Sequence, residues 1–401
     1  MALGPPVHYC PDCDCYPCQC EDERQDIMEQ EPDARQKRLK RVADADIAHS
    51  LAIKNGAAPE KLTRLEREVY IAMGPELPAV IAQTITDKAA IYHGDAVQVL
   101  AGLPDESIHY SIFSPPFASL YTYSNSERDL GNCRTYEEFF DHYRFIAREL
   151  YRITKPGRLI SFHCMLLPTS KEHDGFIGIR DFRGDLIRAH QQDGFIFHSE
   201  VVIWKDPLIA ATRTHAHGLA HKELVKDSAI CRQGIPDYLV TMRKPGENKE
   251  KISHKPSGLS RWIGEGKGPN GVYDPNPARN KQSHLIWQRY ASPVWMDINP
   301  SDTLQRESAR EDNDERHICP LQLQVIERGI ELWSNPGDVI LTPFGGIGSE
   351  GYVAVRSGRR AVVVELKESY YKQAVANLQA AENLFQQLPM FPIADEAGSN
   401  G

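Results

Sequence analysis

The sequence predicts an α/β protein built around a doubly wound, mostly parallel β-sheet. Strand-like and helix-like patterns alternate through residues 86–204 and again through residues 291–385, as they do where helices cover both faces of a sheet. A basic segment, residues 205–290, separates the two stretches and is predicted as an insertion. The 401 residues are 41% hydrophobic and 25% charged, a balance that supports a large core and argues against disorder.

Residues 1–20 are predicted as a separate cysteine-rich segment. It holds five of the nine cysteines, which are Cys10, Cys13, Cys15, Cys18 and Cys20. Two Cys-x-x-Cys spacings let pairs of thiolates reach one tetrahedral Zn²⁺, and a cysteine cluster in a cytosolic chain favours metal binding over disulfides. With His8, the segment offers more ligands than one ion needs. One zinc ion with spare ligands, a small metal cluster and a disordered, oxidation-prone tail are the alternatives.

Residues 21–85 are predicted as a helical N-terminal extension. The stretch is strongly charged, has few prolines, and places leucine, isoleucine and valine at irregular helical spacing. Two or three helices fit this pattern. A helical appendage that packs on the core is the simplest interpretation, and a dimerisation element and a DNA clamp are the alternatives.

Residues 86–204 are predicted as the first, catalytic half of the core. Short apolar runs indicate strands, and apolar residues three and four positions apart indicate helices. In chain order the predicted elements are a strand at 90–93, a helix at 96–103, a strand at 108–113, a helix at 136–153, a strand at 159–162, a helix at 182–192 and a strand at 200–204. The first strand runs into Gly94-Asp95, and the second runs into Ser114.

Residues 291–385 are predicted as the second half of the core, which binds a cofactor, and residues 386–401 as a flexible tail. The same patterns apply here. The predicted elements are a helix at 320–334, a strand at 338–341, a helix at 349–356, a strand at 361–365 and a helix at 368–385.

A glycine-rich turn joins the strand at 338–341 to the next helix. In Thr342-Pro343-Phe344-Gly345-Gly346-Ile347-Gly348-Ser349 the missing side chains let the backbone approach a ligand. Glu365 ends the following strand, where a carboxylate can accept both hydroxyls of a ribose. Because the sequence lacks a phosphate-gripping Gly-Lys-Ser/Thr, S-adenosylmethionine is favoured over a dinucleotide. The alternative for Glu365 is a surface carboxylate that opens the helix near Glu368.

The segment 205–290 carries 15 lysines and arginines against 8 aspartates and glutamates, in a chain whose net charge is −9. A local basic surface is typical of proteins that contact phosphates. The residues expected to contact double-stranded DNA are Arg213, His215, His217, Lys222, Lys226, Arg232 and Arg261. A solvated basic loop without a partner is one alternative, and a metal site at His215, His217 and His221 is another.

These motifs together resemble the β-class DNA amino-methyltransferases, especially the long, orphan forms found in phages and prophages. The resemblance covers about residues 91–384, and the motifs that carry it are, in order, Gly94-Asp95, Ser114-Pro115-Pro116-Phe117, the basic insertion, His317-Ile318-Cys319-Pro320-Leu321-Gln322, Pro343 to Gly348, and Glu365. It implies an S-adenosylmethionine-dependent methyltransferase fold with a seven-stranded sheet, a permuted motif order and an inserted DNA-recognition domain. It also implies a homodimer.

The resemblance assigns roles to particular residues. Asp95 is expected to contact the adenine of the cofactor, and Glu365 its ribose. The methionine part is expected to lie against the glycine turn, which contributes Pro343, Phe344, Gly345, Gly346, Gly348 and Ser349. The remaining wall is expected from His317, Cys319 and Pro320. The chain departs from the family at Thr342, where Asp is usual, and this is expected to weaken the contact to the amino-acid end of the cofactor.

The tetrapeptide at 114–117 suits catalysis on an amino group. An exocyclic amine of adenine or cytosine is a poor nucleophile, because its lone pair is delocalised into the ring. Hydrogen bonds from this amine to the Ser114 hydroxyl and the Pro115 carbonyl would localise the lone pair as charge develops. Pro115 and Pro116 stiffen the loop, and Phe117 is expected to stack on a base flipped out of the duplex.

The target base is open between adenine and cytosine. In the family, Ser at the first position of the tetrapeptide is more often associated with cytosine N4, and Asp with adenine N6. Long phage-type relatives with Ser-Pro-Pro-Phe include adenine enzymes, and a hydroxyl accepts the same amino hydrogen bond. Adenine N6 is therefore favoured over cytosine N4. Further alternatives are an inactive DNA-binding regulator with this fold and a methyltransferase that acts on RNA or protein.

The N-terminal sequence and the hydropathy pattern indicate where in the cell the protein is expected. The chain begins with neither a basic nor an apolar signal region, and it has no run of about 18 apolar residues. A cytoplasmic protein of bacterial or phage origin, without membrane association, is expected.

Overall fold

The computed structural model describes residues 80–117, 130–133, 135–169, 171–214, 217–256, 258–265, 281–304 and 320–387. The chain divides into two compact units, Met1–Pro78 and Ala79–Gly401, and every described residue belongs to the second. The predicted cysteine-rich segment and almost all of the predicted helical extension therefore lie outside the described residues. The zinc site at Cys10, Cys13, Cys15, Cys18 and Cys20 stays a prediction.

A nine-stranded sheet forms the centre of the second unit. Its strands in chain order are β1 (Ala82–Ile85), β2 (Ala89–His93), β3 (Ile108–Phe113), β4 (Thr154–Met165), β7 (Ile196–Ile203), β8 (Asp237–Arg243), β9 (Val294–Trp295), β10 (Val339–Thr342) and β11 (Arg360–Glu365). Across the sheet the order is β1-β2-β11-β10-β3-β4-β8-β7-β9. Strands β5 (Leu167–Thr169) and β6 (Gly178–Arg180) form a separate antiparallel pair.

The sheet has nine strands rather than the predicted seven. The seven inner strands, from β2 to β7 in the spatial order, match the expected number, and the short strands β1 and β9 add one more at each edge. The inner strands β2, β11, β10, β3 and β4 run parallel, while β8 runs antiparallel to both of its neighbours. The sheet is mostly parallel, as predicted.

The described helices are α1 (Ala96–Ala101), α2 (Tyr136–Ile153), α3 (Lys171–Asp174), α4 (Phe182–Gln192), α5 (Pro207–Thr214), α6 (His221–Lys226), α7 (Lys281–Tyr290), α8 (Leu323–Trp333), α9 (Ser349–Arg356) and α10 (Glu368–Gln387). Among these described elements, none has the length and apolar character that crossing a membrane requires.

Helices cover both faces of the sheet, and this explains the continuous burial of its central strands. One hydrophobic cluster joins α8, α9 and α10 to one face, and a second joins α1, α2 and α4 to the other. Strand β3 is buried at all six positions because it has packed helices on both sides. Such strands are mostly apolar along their length rather than strictly alternating, which is the pattern that predicted this sheet.

Two segments differ from their predicted assignment. Residues 82–85 form strand β1, where a helical extension was expected, because they pair with β2. Residues 237–243, placed in the predicted insertion, form strand β8 of the core sheet between β4 and β7. The apolar run Tyr238–Met242 is fully buried there, and the basic composition of its surroundings concealed it.

The fold leads to a pH-dependence prediction for His190, which is fully buried on α4. Its Nε2 lies 3.0 Å from the Tyr143 hydroxyl, and its ring stacks on Phe162 with centroids 5.2 Å apart. Burial lowers the pKa of His190 from 6.5 to about 3. The imidazole therefore stays neutral in the folded chain, while the unfolded chain binds a proton below pH 6.5.

We expect the free energy of unfolding to fall as the pH drops from about 6.5 toward 3, by up to about 1.4 kcal/mol per pH unit from His190 alone. Urea unfolding at a series of pH values measures this slope. The His190→Gln variant should show a shallower slope in this window. An unchanged slope would show that other groups cause the acid sensitivity.

Candidate active site

The ends of the inner strands bring the predicted site residues to one edge of the sheet. This carboxyl edge comprises the carboxyl ends of β2, β11, β10, β3, β4 and β7, together with the amino end of the antiparallel strand β8. In open α/β sheets, ligands bind in the crevice outside these strand ends.

The glycine turn follows β10 and leads into α9, and its glycines are required by close packing. A side chain at Gly345 would place its Cβ 2.4 Å from Cγ1 of Val363. Gly348 has a φ of 85°, and a Cβ there would lie 2.8 Å from Leu378. Gly346, by contrast, has open space where a side chain would be. The turn is therefore pressed against β11 and α10 on one side and open on the other.

The Glu365 carboxylate holds the open side of this turn. Its Oε2 accepts a hydrogen bond from the Gly346 amide at 2.7 Å, and its Oε1 accepts one from the Lys367 amide at 2.8 Å. A carboxylate oxygen has more than one lone pair, so a hydrogen bond from one amide does not exhaust its capacity to accept. Glu365 thus contacts the glycine turn directly, and its predicted contact with a ribose stays a prediction.

Asp95 lies beside Glu365 at the neighbouring strand end. The Gly94 amide donates to the Glu365 carbonyl at 3.0 Å, which joins the ends of β2 and β11. Asp95 is the N-cap of α1, where its Oδ1 accepts from the Val97 amide at 2.8 Å. Two carboxylates and an open glycine turn thus line one end of the crevice.

The buried hydroxyl of Thr342 provides a test of whether a polar ligand fits this pocket. Thr342 is 1% exposed, and its Oγ1 has no hydrogen-bond partner among the described residues. It ends β10 immediately before the glycine turn. Burying a hydroxyl without a partner costs free energy. The unpaired hydroxyl, the open Gly346 and the Glu365 carboxylate fit a nucleoside-type cofactor with hydroxyl and amino groups.

The tetrapeptide lies next to the glycine turn. Strands β3 and β10 pair in parallel with Leu341 opposite Ser111, so Ser114 leaves the sheet beside the turn. The rings of Phe113 and Phe344 are 5.9 Å apart and fill the space beneath the two loops. Two motifs separated by more than two hundred residues in the sequence therefore lie side by side in the fold.

The four residues of the tetrapeptide differ in exposure. Pro115 is buried, while Ser114, Pro116 and Phe117 are half-buried. The Phe117 ring points its edge toward His163 and Phe182, with centroids 6.5 Å and 6.2 Å away. Phe117 therefore packs against the core beside the serine, and its predicted stacking on a flipped base stays a prediction.

Three residues that the sequence did not single out form a line of contacts that ends at Ser114. Its Oγ lies 3.2 Å from Nδ1 of His163 on β4. Nε2 of His163 lies 3.2 Å from Oδ2 of Asp237, the first residue of β8, and Oδ1 of Asp237 accepts from Nζ of Lys205 at 2.6 Å. Both His163 and Asp237 are buried. The sequence signal for His163 was its polar side chain inside the apolar run at 159–165. The signal for Asp237 and Lys205 was a charged side chain next to a strand end.

Asp237 is held as a carboxylate despite its burial. Desolvation alone would raise its pKa, but the adjacent His163 and the Lys205 ammonium together hold the pKa of Asp237 below its usual value. A buried carboxylate with a cation on one oxygen and an imidazole on the other is anionic at neutral pH. The carboxyl edge near Ser114 therefore holds an ionised carboxylate whose charge is balanced by the Lys205 ammonium.

The residues predicted to bind DNA fall in two places. Lys222 and Lys226 are exposed on α6 and Arg232 follows it, in the segment that leaves the carboxyl edge after β7 and returns to it at β8. Lys226 pairs with Glu223 at 3.6 Å. Arg261 instead pairs with Glu327 on α8, also at 3.6 Å, and so lies with a helix that covers the face of the sheet.

Some predicted site residues lie wholly or partly outside the described part of the chain. These are His215, His317 and Cys319, together with the side chains of Arg213 and His217, whose backbones belong to α5 and to a short 3-10 turn. Pro320 is described, is half-buried and precedes α8, and Ser349 is buried at the start of α9.

Known proteins match the part of the chain that forms this sheet. The sequence family described as DNA methylase (N6_N4_Mtase) matches residues 108–376, more than half of the chain. The type II methyltransferase M.ScaI of Streptomyces caespitosus is 38% identical over 305 residues, which are 75% of this chain and 84% of that protein. The DNA adenine methyltransferase YhdJ of Escherichia coli (strain K12) is 35% identical over 72 residues, which span 18% of this chain and 24% of YhdJ.

Among solved structures, TTHA0409 from Thermus thermophilus, in complex with S-adenosyl-L-methionine, is similar with a TM-score of 0.50. The identity is 21%, and the match covers 74% of this chain and 96% of that one. At this identity the likeness concerns the fold. It agrees with the doubly wound sheet and the position of its helices.

The fold is that of a doubly wound α/β protein similar to a solved DNA modification methylase. The family match over 108–376 and the identity to M.ScaI then show that the chain belongs to the N6/N4 DNA methylase family, the methyltransferases of amino groups on DNA bases.

Proposed function

We propose that the protein transfers a methyl group from S-adenosylmethionine to the exocyclic amino group of a base flipped out of duplex DNA, with adenine N6 favoured over cytosine N4. The observation that carries this proposal is the juxtaposition of the Ser114 loop with the glycine turn and Glu365 on one edge of the sheet. One part suits an amino group and the other a nucleoside, so the two reactants would meet at the strand ends.

The cofactor end of the site is assigned to residues of β2, β10 and β11. Glu365 would accept the ribose hydroxyls, Asp95 would lie near the adenine, and Gly346 leaves room for the cofactor against the backbone of the turn. Thr342 supplies a buried hydroxyl that this ligand can satisfy. When bound, S-adenosylmethionine supplies an electrophilic methyl group on a sulfonium. The complex of TTHA0409 with this compound supports the assignment through the shared fold.

The chain's own contribution to the chemistry lies in the Ser114 loop. The target amine can donate one hydrogen to Ser114 Oγ and the other to the Pro115 carbonyl, and both acceptors stand on a loop stiffened by two prolines. Acceptors held in place before the reaction cost no reorganisation when positive charge develops on the nitrogen. The Asp237 carboxylate lies behind Ser114, on the far side of His163, and is available to stabilise a positive charge on that imidazole.

Duplex DNA is the proposed partner of the basic segment. Lys222, Lys226 and Arg232 lie on the stretch that leaves and returns to the carboxyl edge, so phosphate contacts there would bring the duplex over the site. An amine cannot be reached while its base is stacked, which requires base flipping. The homodimer implied by the resemblance belongs to the same proposal.

The choice of base is tested by its product. Incubating duplex DNA of varied sequence with the protein and S-adenosylmethionine, followed by mass spectrometry of the nucleosides, should yield N6-methyladenine. N4-methylcytosine without N6-methyladenine would make the adenine assignment wrong while leaving the amino chemistry intact. If RNA is labelled and duplex DNA is not, the proposed substrate class is wrong. Sequencing that reads modified bases would then identify the site.

A further inference from the structure

A buried charged chain leads from the solvent side of the carboxyl edge to the catalytic serine. It runs from Lys205 through Asp237 and His163 to Ser114, with contacts of 2.6, 3.2 and 3.2 Å. The four residues come from the ends of four elements: β7, β8, β4 and β3. Such a convergence of side chains at one point is a property of the tertiary fold, not of local sequence.

The tautomer of His163 follows from the Asp237 carboxylate, which lies 3.2 Å from Nε2. An ionised carboxylate only accepts, so the ring nitrogen that faces Asp237, Nε2, must carry the hydrogen. The other nitrogen of a neutral imidazole, Nδ1, then has a lone pair and accepts from Ser114 Oγ–H. The serine oxygen is left with both lone pairs for other donors. The amino group of a base is such a donor.

We propose that His163 and Asp237 act on Ser114 as a relay, in which they orient its hydroxyl as an acceptor for the target amine and take up the proton that the amine loses. The proposal deepens the proposed function and rests on it. Lys205 positions Asp237, and the Phe117 ring lies against the His163 ring with centroids 6.5 Å apart.

The proton balance of the reaction requires such an acceptor. As the amino nitrogen bonds to the methyl carbon and the carbon–sulfur bond breaks, the nitrogen becomes positively charged and must lose one hydrogen. That hydrogen passes to Ser114 Oγ while the serine's own hydrogen passes to His163 Nδ1. The result is a neutral serine and an imidazolium beside the Asp237 carboxylate, which stabilises it.

The relay also accounts for a serine at a position where the family often has Asp. An aspartate would place its negative charge directly against the amine. Here the negative charge of Asp237 lies one imidazole further away, and His163 transmits it to the serine oxygen. Nε2 and Oδ2 lie within ion-pair distance at 3.2 Å, but Nε2 makes no hydrogen bond to a described residue in this structure. Catalytic hydrogen bonds are often poorly aligned before substrate binds and tighten in the complex.

The first test needs no turnover. Selective ¹⁵N labelling of histidine, with His163 assigned by loss of its signals in His163→Gln, reports which ring nitrogen carries hydrogen at neutral pH. We expect hydrogen on Nε2 and a free lone pair on Nδ1. Hydrogen on Nδ1 in the wild-type protein would overturn the relay, because His163 would then donate to the serine.

The second test compares Asp237 with a similarly buried aspartate, Asp338, at the opposite edge of the sheet. There, Asp338 is buried between His109 at 3.6 Å and Arg158 at 3.1 Å, much as Asp237 lies between a histidine and a lysine. Asp237→Asn should lower kcat by about 10-fold or more, with little change in KM for either substrate. Asp338→Asn should keep kcat per folded molecule, because it removes a comparable ion pair far from the serine.

The outcomes separate the relay from the function on which it rests. Equal kcat values in Asp237→Asn and wild type would overturn the relay and leave DNA methylation in place. A fall no larger than that of Asp338→Asn would mean a structural role only. A wild-type protein that methylates no DNA would contradict the proposed function, whereas the tautomer of His163 would still report on the relay.

Discussion

Ser114→Ala is expected to lower kcat on the order of 1,000-fold and to leave the affinity for S-adenosylmethionine nearly unchanged. The serine oxygen is the proposed acceptor for the target amine and the link to His163, 3.2 Å away. Without it, the amine loses the acceptor that localises its lone pair, and the proton has no route into the protein. The cofactor residues Glu365 and Gly346 belong to other strand ends and are not altered.

A matched control for this variant lies on the same strand. The Ser111 hydroxyl is fully buried within β3 and has no partner among the described residues, so Ser111→Ala removes an unsatisfied polar group. We expect Ser111→Ala to keep normal activity and stability. Single-turnover methylation of duplex DNA measures the chemical step, and calorimetric titration measures cofactor affinity. Full activity of Ser114→Ala would refute the assignment of the catalytic loop.

Glu365→Ala is expected to weaken binding of S-adenosylmethionine on the order of 100-fold, or about 2.7 kcal/mol. Two effects add in this variant. The ribose hydroxyls lose a charged acceptor, and the Gly346 amide loses the partner that holds the open side of the glycine turn at 2.7 Å. Because the substitution acts on binding, kcat at saturating cofactor should fall much less than kcat/KM.

Glu368 provides the control for charge alone. It lies three residues further along, at the start of α10, and pairs with Lys372 at 2.7 Å on the surface. Glu368→Ala removes the same charge without touching the turn, so calorimetry should find wild-type cofactor affinity. Equal, unchanged affinities in both variants would mean that Glu365 is a surface carboxylate, and the nucleoside site would have to lie elsewhere.

Several helices of the core could be predicted from the sequence because their boundaries depend on local signals. The bounds Tyr136–Ile153 and Phe182–Gln192 agree with the prediction, and both helices begin after a side-chain N-cap, Thr135 and Asp181. The helix Ser349–Arg356 follows the glycine turn as predicted. In each case the capping residue and the apolar spacing lie within a few residues of each other in the chain.

Strand β8 could not be predicted in the same way. Its apolar run is short and lies inside a basic, loop-like stretch, and its burial comes from pairing with β4 and β7 rather than from its own sequence. The assignment of 205–290 to an insertion depended on average composition. The only local sign that part of this segment belongs to the core was the run Tyr238–Met242, which has four apolar residues and one threonine.

The two halves of the site were predictable to different degrees. The glycine turn and Glu365 lie within one strand–turn–helix–strand unit, so spacing alone places them together. The neighbours of Ser114 come from three other strand ends, and sheet order decides which of these adjoin it. His163 and Asp237 are 74 positions apart in the sequence, and no pattern over that distance indicates a contact.

The ion pair of Lys205 with Asp237 closes the base of the chain segment that leaves β7 and returns as β8. The same segment carries Lys222, Lys226 and Arg232. If this segment binds the duplex, Lys205 and Asp237, which hold its two ends together, are also the outer members of the chain of contacts that leads to Ser114. A poorly matched DNA sequence that displaces either residue would then slow the chemical step even when binding is unaffected. Discrimination between DNA sites would be expressed in turnover as well as in affinity.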